Sequence, residues 1–179
     1  MLNRIIGLAL ILFSINAVQA EEAHYYIGVD WGDFGYNIEN NSTTYDNANG
    51  FILRLGYDFN NWLAVEGHYA DPDDFESSGS GNLSGNTLGA FARLNLRFKQ
   101  TTLYAIGGAA SSSYTGQSEI TYAYGAGIDI YGSKDTALTI AYTSYYNDET
   151  ASSNKIEGDA LTFGITHYFG NRPRIYKRY

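Results

Sequence analysis

Apolar and polar residues alternate along eight short segments of this chain, and no other feature of the sequence restricts the fold as much. Between Tyr25 and Trp31, every second residue is large and apolar, and the residues between them include Gly28 and Asp30. The same period of two recurs near residues 51–59, 63–69, 88–98, 104–110, 122–130, 138–142 and 161–169. Because successive side chains of a strand point to opposite faces, this pattern predicts eight strands, each with one apolar face.

The apolar faces are expected to point outward, toward lipid. A soluble barrel or sandwich needs many charges on its outer surface, but charged residues make up only 17% of this chain and aromatic residues reach 16%. We therefore predict an all-β fold, an eight-stranded antiparallel up-and-down transmembrane β-barrel, with a soluble β-barrel as the alternative. Aromatic residues near the predicted strand ends fit the girdles of such barrels: Tyr25, Trp31, Tyr57, Phe59, Trp62, Tyr104, Tyr142 and Phe169.

The two ends of the chain differ from the barrel region. Residues 1–20 have the features of a secretory signal peptide, with Arg4 before an apolar run from Ile5 to Ile15. The barrel is expected at residues 21–169, and residues 170–179 form a basic tail. Such a tail either attracts anionic head groups or has no role. Its basic residues are Arg172, Arg174, Lys177 and Arg178.

The connections between the predicted strands alternate between short and long. Short turns are centred on Asn61, Gln100 and Lys134. Short turns face the periplasm in barrels of this class, so both termini are expected there. The long polar connections span residues 33–49, 71–85, 111–118 and 146–157.

The short turns also predict the register of the hairpins. Residues that pair across a hairpin must share a face. This condition predicts three-residue turns that pair Phe59 with Leu63, Phe98 with Thr102, and Gly132 with Thr136. The first of these registers places Arg54 opposite His68 and diagonal to Glu66.

Charged side chains on the inward faces form the main candidate site. Their formal charges nearly cancel, and an unpaired charge in a shielded lumen is costly. An eight-stranded lumen is only wide enough for its own side chains. We therefore expect a plug of ion pairs, and the alternative interpretation is a gated polar pore for small solutes. The residues are Asp30, Arg54, Asp58, Glu66, His68, Arg93, Arg97 and Asp129.

The sequence provides little support for catalysis or metal binding. Some small barrels modify lipid A, which requires a histidine beside a serine and a carboxylate. His68 with Asp71, Ser77 or Ser78 is the candidate here. We expect no catalytic, cofactor or metal site, and we interpret His68 as a lumen side chain that is hydrogen-bonded to Arg54 or Glu66.

The long connections are strongly acidic and contain Lys155 as their one basic residue. A hard cation such as Ca²⁺ or Mg²⁺ could bridge the acidic loop formed by Asp71, Asp73, Asp74 and Glu76. A solvated acidic cap is preferred, because the spacing of an EF-hand is absent. Such loops are suited to cation-bridged lipopolysaccharide or basic host surfaces, and the net charge of -8 argues against nucleic acid. Twelve carboxylates lie in or directly beside these connections: Asp33, Glu39, Asp46, Asp71, Asp73, Asp74, Glu76, Glu119, Asp148, Glu149, Glu157 and Asp159.

Residues 161–169 resemble the C-terminal sorting signal of outer membrane proteins. The residues that carry the resemblance are Gly164, Ile165 and the closing Phe169, whereas His167 stands where an aromatic residue is usual. With Tyr25–Trp31, Leu55–Phe59 and Trp62–Gly67, they make residues 23–169 resemble the small OmpA/OmpX-like barrels of the porin family.

This resemblance implies a monomer in the outer membrane of a Gram-negative bacterium, contacts with membrane lipid and lipopolysaccharide, and insertion by the barrel-assembly machinery. We expect a non-enzymatic role in membrane integrity, structure or surface interaction and adhesion through the acidic loops. The alternatives are a narrow channel for small solutes and, third, a lipid A-modifying enzyme.

Overall fold

Eight antiparallel strands form one closed sheet, in which each strand pairs with its sequence neighbours and β8 pairs with β1. The computed structural model describes residues 24–38, 47–74, 85–114, 117–149 and 155–169. The strands are β1 (His24–Ile38), β2 (Ala48–Asp58), β3 (Leu63–Pro72), β4 (Gly85–Arg97), β5 (Thr101–Tyr114), β6 (Gln117–Tyr131), β7 (Thr136–Glu149) and β8 (Lys155–Phe169).

The outer surface of the barrel is an apolar belt. Val29, Leu55, Leu94, Ile140 and Phe163 are all exposed on this surface. The charged residues directly beside three of them in sequence, Asp30, Arg54 and Arg93, are buried. The predicted up-and-down β-barrel is therefore confirmed, with its apolar faces pointing outward. Among the described residues, no helix is long and apolar enough to cross a membrane.

The strands are strongly staggered around the barrel. If paired residues are followed from Ile120 on β6 through β5, β4, β3, β2, β1, β8 and β7, the path returns to β6 at Ile130, ten residues away. In a closed sheet this stagger sets the tilt and the diameter, and eight strands leave a lumen that side chains fill. Residues far apart in sequence therefore meet at one level of the lumen.

Two of the three predicted turn registers are confirmed. Phe59 N donates to Leu63 O at 3.0 Å, and Gly132 N donates to Thr136 O at 3.2 Å. The β4–β5 register is wrong by one residue, since Arg97 pairs with Thr102 and Phe98 N donates to Thr101 O at 2.7 Å.

Tyr104 explains the error in the β4–β5 register. Its ring was expected in the outer aromatic girdle, but it is buried in the lumen. In β5 the outward positions near the middle of the strand are Ala105, Gly107 and Ala109. Because these residues are small, the sequence does not show which face of β5 is apolar, and the register could not be determined from it.

At the end of the barrel that carries the long connections, the strands are longer than the alternation predicted. The predicted loop at 111–118 is largely a hairpin, since β5 runs to Tyr114 and β6 begins at Gln117. β1 extends to Ile38, and β7 pairs with β8 as far as Glu149 opposite Lys155. Beyond the membrane both faces of a strand contact water, so polar residues occupy successive positions and the period of two disappears.

Candidate functional site in the barrel lumen

Arg54 anchors one side of a buried ionic network. It lies on β2 beside Gly28 of β1, where any larger residue would collide with the guanidinium group. Its Nε and Nη2 donate to the two oxygens of Asp30 at 2.5 and 3.0 Å, and Nη2 also donates to Thr166 Oγ1 at 2.7 Å. This fork of donors matches the planar carboxylate, and it connects β2 to β1 and β8.

Glu66 lies at the centre of the network, between two arginines. Its Oε2 accepts hydrogen bonds from Arg93 Nη1 at 2.8 Å and from the Tyr26 hydroxyl at 2.6 Å, and it lies 3.6 Å from Arg54 Nη1. Its other oxygen, Oε1, lies 2.5 Å from His68 Nε2. A buried carboxylate is tolerated when it is surrounded by donors in this way.

Arg93 continues the network across the lumen to β6. Its Nη2 donates to Asp129 Oδ2 at 2.5 Å, and its Nε donates to Asn95 Oδ1 at 2.8 Å. The guanidinium carbon lies 3.6 Å from the centre of the Tyr104 ring, which is a close cation–π contact. Tyr104 itself fits beside Gly127, where a Cβ atom would meet its ring.

Two threonines complete a ring of contacts around the barrel. Thr139 Oγ1 donates to Asp129 Oδ1 at 2.8 Å and lies 2.8 Å from Thr166 Oγ1, which accepts from Arg54. With Tyr104 of β5 stacked on Arg93, this ring of contacts includes side chains from all eight strands. The name central network is used below for its ionisable members Asp30, Arg54, Glu66, His68, Arg93 and Asp129.

A separate ion pair lies nearer the end that carries the short turns. Arg97 Nη2 lies 2.7 Å from Asp58 Oδ2, and Asn95 Nδ2 donates to Asp58 Oδ1 at 3.3 Å. Asn95 also accepts from Arg93, so it links this pair to the central network. The structure thus brings all eight charged candidates into contact with at least one other candidate.

Clusters of buried side chains lie in the lumen on both sides of the central network. Toward the end that carries the long connections, buried Phe34, Ile52, Phe91, Ile106 and Tyr145 belong to one apolar cluster. Toward the opposite end lie Tyr26, Tyr131 and Tyr168. The Tyr168 hydroxyl donates to Asp129 Oδ2 at 2.9 Å, so the tyrosines also join the network.

Several of these side chains were not among the sequence candidates. Tyr26, Asn95 and Tyr168 lie on the predicted inward faces, and their parity was the signal that could have identified them. Tyr145 lies beyond the predicted end of its strand, at an irregularity between Ser144 and Tyr146. No periodic pattern marks such a bulge.

His68 does not occupy the position that the enzyme hypothesis requires. It is buried, with Nε2 at Glu66 and Nδ1 3.1 Å from the Tyr145 hydroxyl. Asp71 lies three residues further along β3, and side chains separated by an odd number of residues point to opposite faces. The pairing of His68 with Asp71 is therefore wrong, and Ser77 and Ser78 lie outside the described residues.

The remaining candidates lie on the outer surface or outside the described residues. Asp71, Asp73 and Asp74 lie at the end of β3 that leads into a long connection, and Asp73 and Asp74 are exposed. Within the described ranges, no group of three or more acidic, histidine or cysteine residues is arranged to hold a metal ion. Glu76, the predicted signal peptide at 1–20 and the predicted tail at 170–179 lie outside those ranges.

The residues of the predicted sorting signal all lie on β8. Ile165, His167 and Phe169 face outward, and the His167 and Phe169 rings meet edge to face at 4.9 Å. Gly164 lies against Asp30, where a Cβ atom would collide with the carboxylate. Glycine is therefore required at position 164 because Asp30 occupies the space that a larger side chain would need.

Comparisons with known proteins are consistent with this architecture. A family model described as the outer membrane protein beta-barrel domain matches residues 5–169. No curated protein sequence is significantly similar to the chain.

Several solved structures share the fold. Ail, the attachment invasion locus protein of Yersinia pestis, has a TM-score of 0.57 at 23% identity, covering 83% of this chain and 99% of Ail. Ail in complex with the heparin analogue sucrose octasulfate gives 0.58 at 21% identity, with 83% and 99% covered. The outer membrane protein OprG from Pseudomonas aeruginosa gives 0.61 at 12% identity, with 83% and 96% covered.

Proposed function

The chain belongs to the outer membrane protein beta-barrel domain family, and from that premise we propose that it is a sealed, non-enzymatic membrane anchor whose role is carried by its outer surface. The observation that supports this proposal is the central network. Arg54, Glu66, Arg93 and Asp129 cross the lumen in continuous contact. A solute would have to separate buried ion pairs to pass, which leaves charges without partners.

The candidate role of the outer surface is attachment or stabilisation of the envelope. The strands protrude beyond the apolar belt and present acidic residues such as Asp33, Asp73 and Asp159, all exposed. Such a surface favours basic partners or lipopolysaccharide bridged by divalent cations. Ail, which shares the fold, has been solved with a heparin analogue, but an acidic surface favours different ligands from that polyanion.

Conductance in planar bilayers tests whether the barrel is sealed. We expect no stable conductance steps from the wild-type protein, and we expect steps to appear in Arg93→Ala, which removes the side chain between Glu66 and Asp129. Lys99→Ala is the matched control, because Lys99 lies exposed in a turn outside the lumen. Steps in the wild type that change in Arg93→Ala would instead support the channel alternative.

The mass of lipid A tests the non-enzymatic part of the proposal. Both ring nitrogens of His68 contact buried neighbours, Glu66 and Tyr145, so we expect identical lipid A from cells that express wild type or His68→Ala. A mass difference that requires His68 would contradict the proposal.

We also propose an orientation in which the short turns and both termini face the periplasm. The three short turns lie at one end of the barrel and the long connections at the other. In barrels of this class, short turns are periplasmic and long loops are extracellular. Recognition of β8 by the assembly machinery, and membrane insertion as a monomer, belong to the same proposal.

A further inference from the structure

The two ends of the barrel carry different charges. At the end with the short turns, the exposed lysine, arginine and carboxylate side chains among the described residues are Lys99, Lys134 and Asp135. The other two charges near this end, Asp58 and Arg97, are buried and paired with each other at 2.7 Å. The opposite end presents the exposed carboxylates described above. The barrel therefore has a weakly basic end and a strongly acidic end.

Residues 170–179 add positive charge to the short-turn end. They contain four basic residues and no acidic residue, and they follow directly on Phe169, which is exposed on the lipid-facing side. A chain spans at most about 3.6 Å per residue, so the Cα atom of Arg172 lies within about 11 Å of that of Phe169. We use the name basic rim for six residues of this end: Lys99, Lys134, Arg172, Arg174, Lys177 and Arg178.

Aromatic side chains mark the level of the basic rim in the membrane. Phe98, directly before Lys99, is exposed, and Trp62 of the β2–β3 turn is 58% exposed. The rings of Tyr25 and Tyr57 lie 4.8 Å apart near the same end. Aromatic residues at the ends of membrane strands lie at the level of the lipid head groups. Lysine and arginine side chains beside them reach the phosphates of the same lipids.

The composition of residues 170–179 favours a lipid surface as the partner. Ile175, Tyr176 and Tyr179 alternate with the basic residues of this segment. Tyrosine rings favour the membrane interface, and basic side chains attract anionic head groups. One lipid surface offers a suitable environment to both kinds of side chain.

We propose that the basic rim binds anionic phospholipids such as phosphatidylglycerol and enriches them around the short-turn end of the barrel. The ammonium and guanidinium groups bind the lipid phosphates, and the neighbouring aromatic rings pack against the acyl chains. In the orientation proposed above, these lipids belong to the periplasmic leaflet. The inference rests on that orientation only for the name of the leaflet, because the lipid preference belongs to one end of the barrel in either orientation.

The two tryptophans of the chain provide a reporter for each end. Around the closed sheet, Trp62 lies between β8, which leads into residues 170–179, and the β4–β5 turn that contains Lys99. Trp31 lies further along β1, toward the end with the long connections, and is 48% exposed. Trp31→Phe and Trp62→Phe, each made in the full chain, leave one reporter at a known end.

Quenching by brominated lipids measures which lipids contact each reporter. The vesicles consist of phosphatidylcholine with an equal fraction of dibrominated phosphatidylglycerol or of dibrominated phosphatidylcholine. In Trp31→Phe at low ionic strength, we expect phosphatidylglycerol to bind near Trp62 at least about threefold more strongly than phosphatidylcholine. The preference should disappear in about 0.5 M sodium chloride. In Trp62→Phe we expect no preference near Trp31.

Glutamine substitutions in the Trp31→Phe chain test which residues carry the preference. We expect it to fall in a Lys99→Gln, Lys134→Gln double variant. Lys155→Gln removes one positive charge from the acidic end and is the control, with the preference unchanged. The gel mobility of the unheated protein verifies that each variant is folded. A larger loss is expected in a variant that combines Arg172→Gln, Arg174→Gln, Lys177→Gln and Arg178→Gln.

Three results in the vesicles would overturn the proposal: equal quenching of Trp62 by both brominated lipids at low ionic strength, the same preference near Trp31, or a preference that persists in both sets of glutamine substitutions. Co-sedimentation of the detergent-solubilised chain with purified peptidoglycan tests another partner. If it requires the four basic residues of 170–179 while the vesicles show no preference, the basic rim binds the cell wall. The vesicles expose both ends to both lipids, so a reversed orientation in cells contradicts the proposed orientation alone.

Discussion

At the scale of single residues, Arg93 is the side chain whose loss we expect to cost the barrel most. It neutralises Glu66 and Asp129 together, at 2.8 and 2.5 Å. Arg93→Met leaves both carboxylates buried without this partner, and we expect the free energy of unfolding to fall by about 4 kcal/mol. Glu66→Gln retains an acceptor for Arg93 and should cost about 2 kcal/mol.

Urea unfolding in detergent micelles, followed by the fluorescence of Trp31 and Trp62, measures this difference. Lys134→Met, in an exposed turn, is the control for removing a positive charge outside the lumen. Equal losses in Arg93→Met and Lys134→Met would show that the network contributes nothing to stability.

The cation–π contact of Arg93 gives a second prediction at this scale. Tyr104→Leu keeps an apolar group in the lumen but removes the ring under the guanidinium, 3.6 Å away. We expect a loss of about 2 kcal/mol in the same unfolding measurement. Tyr124→Leu, on the lipid-facing side of β6, should change the free energy of unfolding by less than about 0.5 kcal/mol. If the two variants behave alike, the stacking has no energetic value.

The alternation of the sequence was sufficient to predict which charged residues enter the lumen, because these residues lie on strands with a clear apolar face, where parity gives the direction of each side chain. It was not sufficient to predict which residues meet. Arg54 and Thr166 are 112 positions apart in sequence and touch at 2.7 Å, because the stagger of the closed sheet brings β2 and β8 to one level. That stagger depends on the register of every strand pair, and the alternation of apolar and polar residues does not determine the register by itself.

At the scale of strands, glycine positions decide where large side chains fit in the lumen. A Cβ atom at Gly127 would collide with the Tyr104 ring, whereas a Cβ atom at Gly107 meets nothing within 4 Å. We expect Gly127→Ala to lower the free energy of unfolding by about 2 kcal/mol through overpacking. Gly107→Ala, on the lipid-facing side of β5, should be neutral or slightly stabilising. The opposite order in urea midpoints would contradict the packing of Tyr104.

The two registers predicted correctly belong to hairpins whose strands have unambiguous faces, such as Asp58 inward beside Tyr57 outward. The β4–β5 hairpin failed because β5 carries alanine and glycine on its outward face and buries Tyr104. Tyr145 was missed for a similar reason, since the irregularity beside Ser144 interrupts the period of two. Regular strands are predictable from sequence, and their bulges and small-residue stretches are not.

At the scale of the whole molecule, the proposed orientation predicts which surface an external reagent can reach. The chain contains no cysteine, so single-cysteine variants report one position each. In intact cells we expect a membrane-impermeant maleimide to label Asp73→Cys at the long-connection end and to spare Lys134→Cys in a short turn, both exposed positions. After the outer membrane is permeabilised, both should react. Labelling of Lys134→Cys alone in intact cells would reverse the orientation.

The seam between β1 and β8 gives the central network a further consequence. Arg54 of β2 reaches across β1 to Thr166 of β8, so this hydrogen bond can form only after the first and last strands have met. A sheet that has curled but not yet closed would hold Arg54 with Asp30 and lack its partners on the far side. Polar contacts such as Arg54 to Thr166 therefore stabilise the closed cylinder relative to the open sheet. They also oppose separation of the first and last strands.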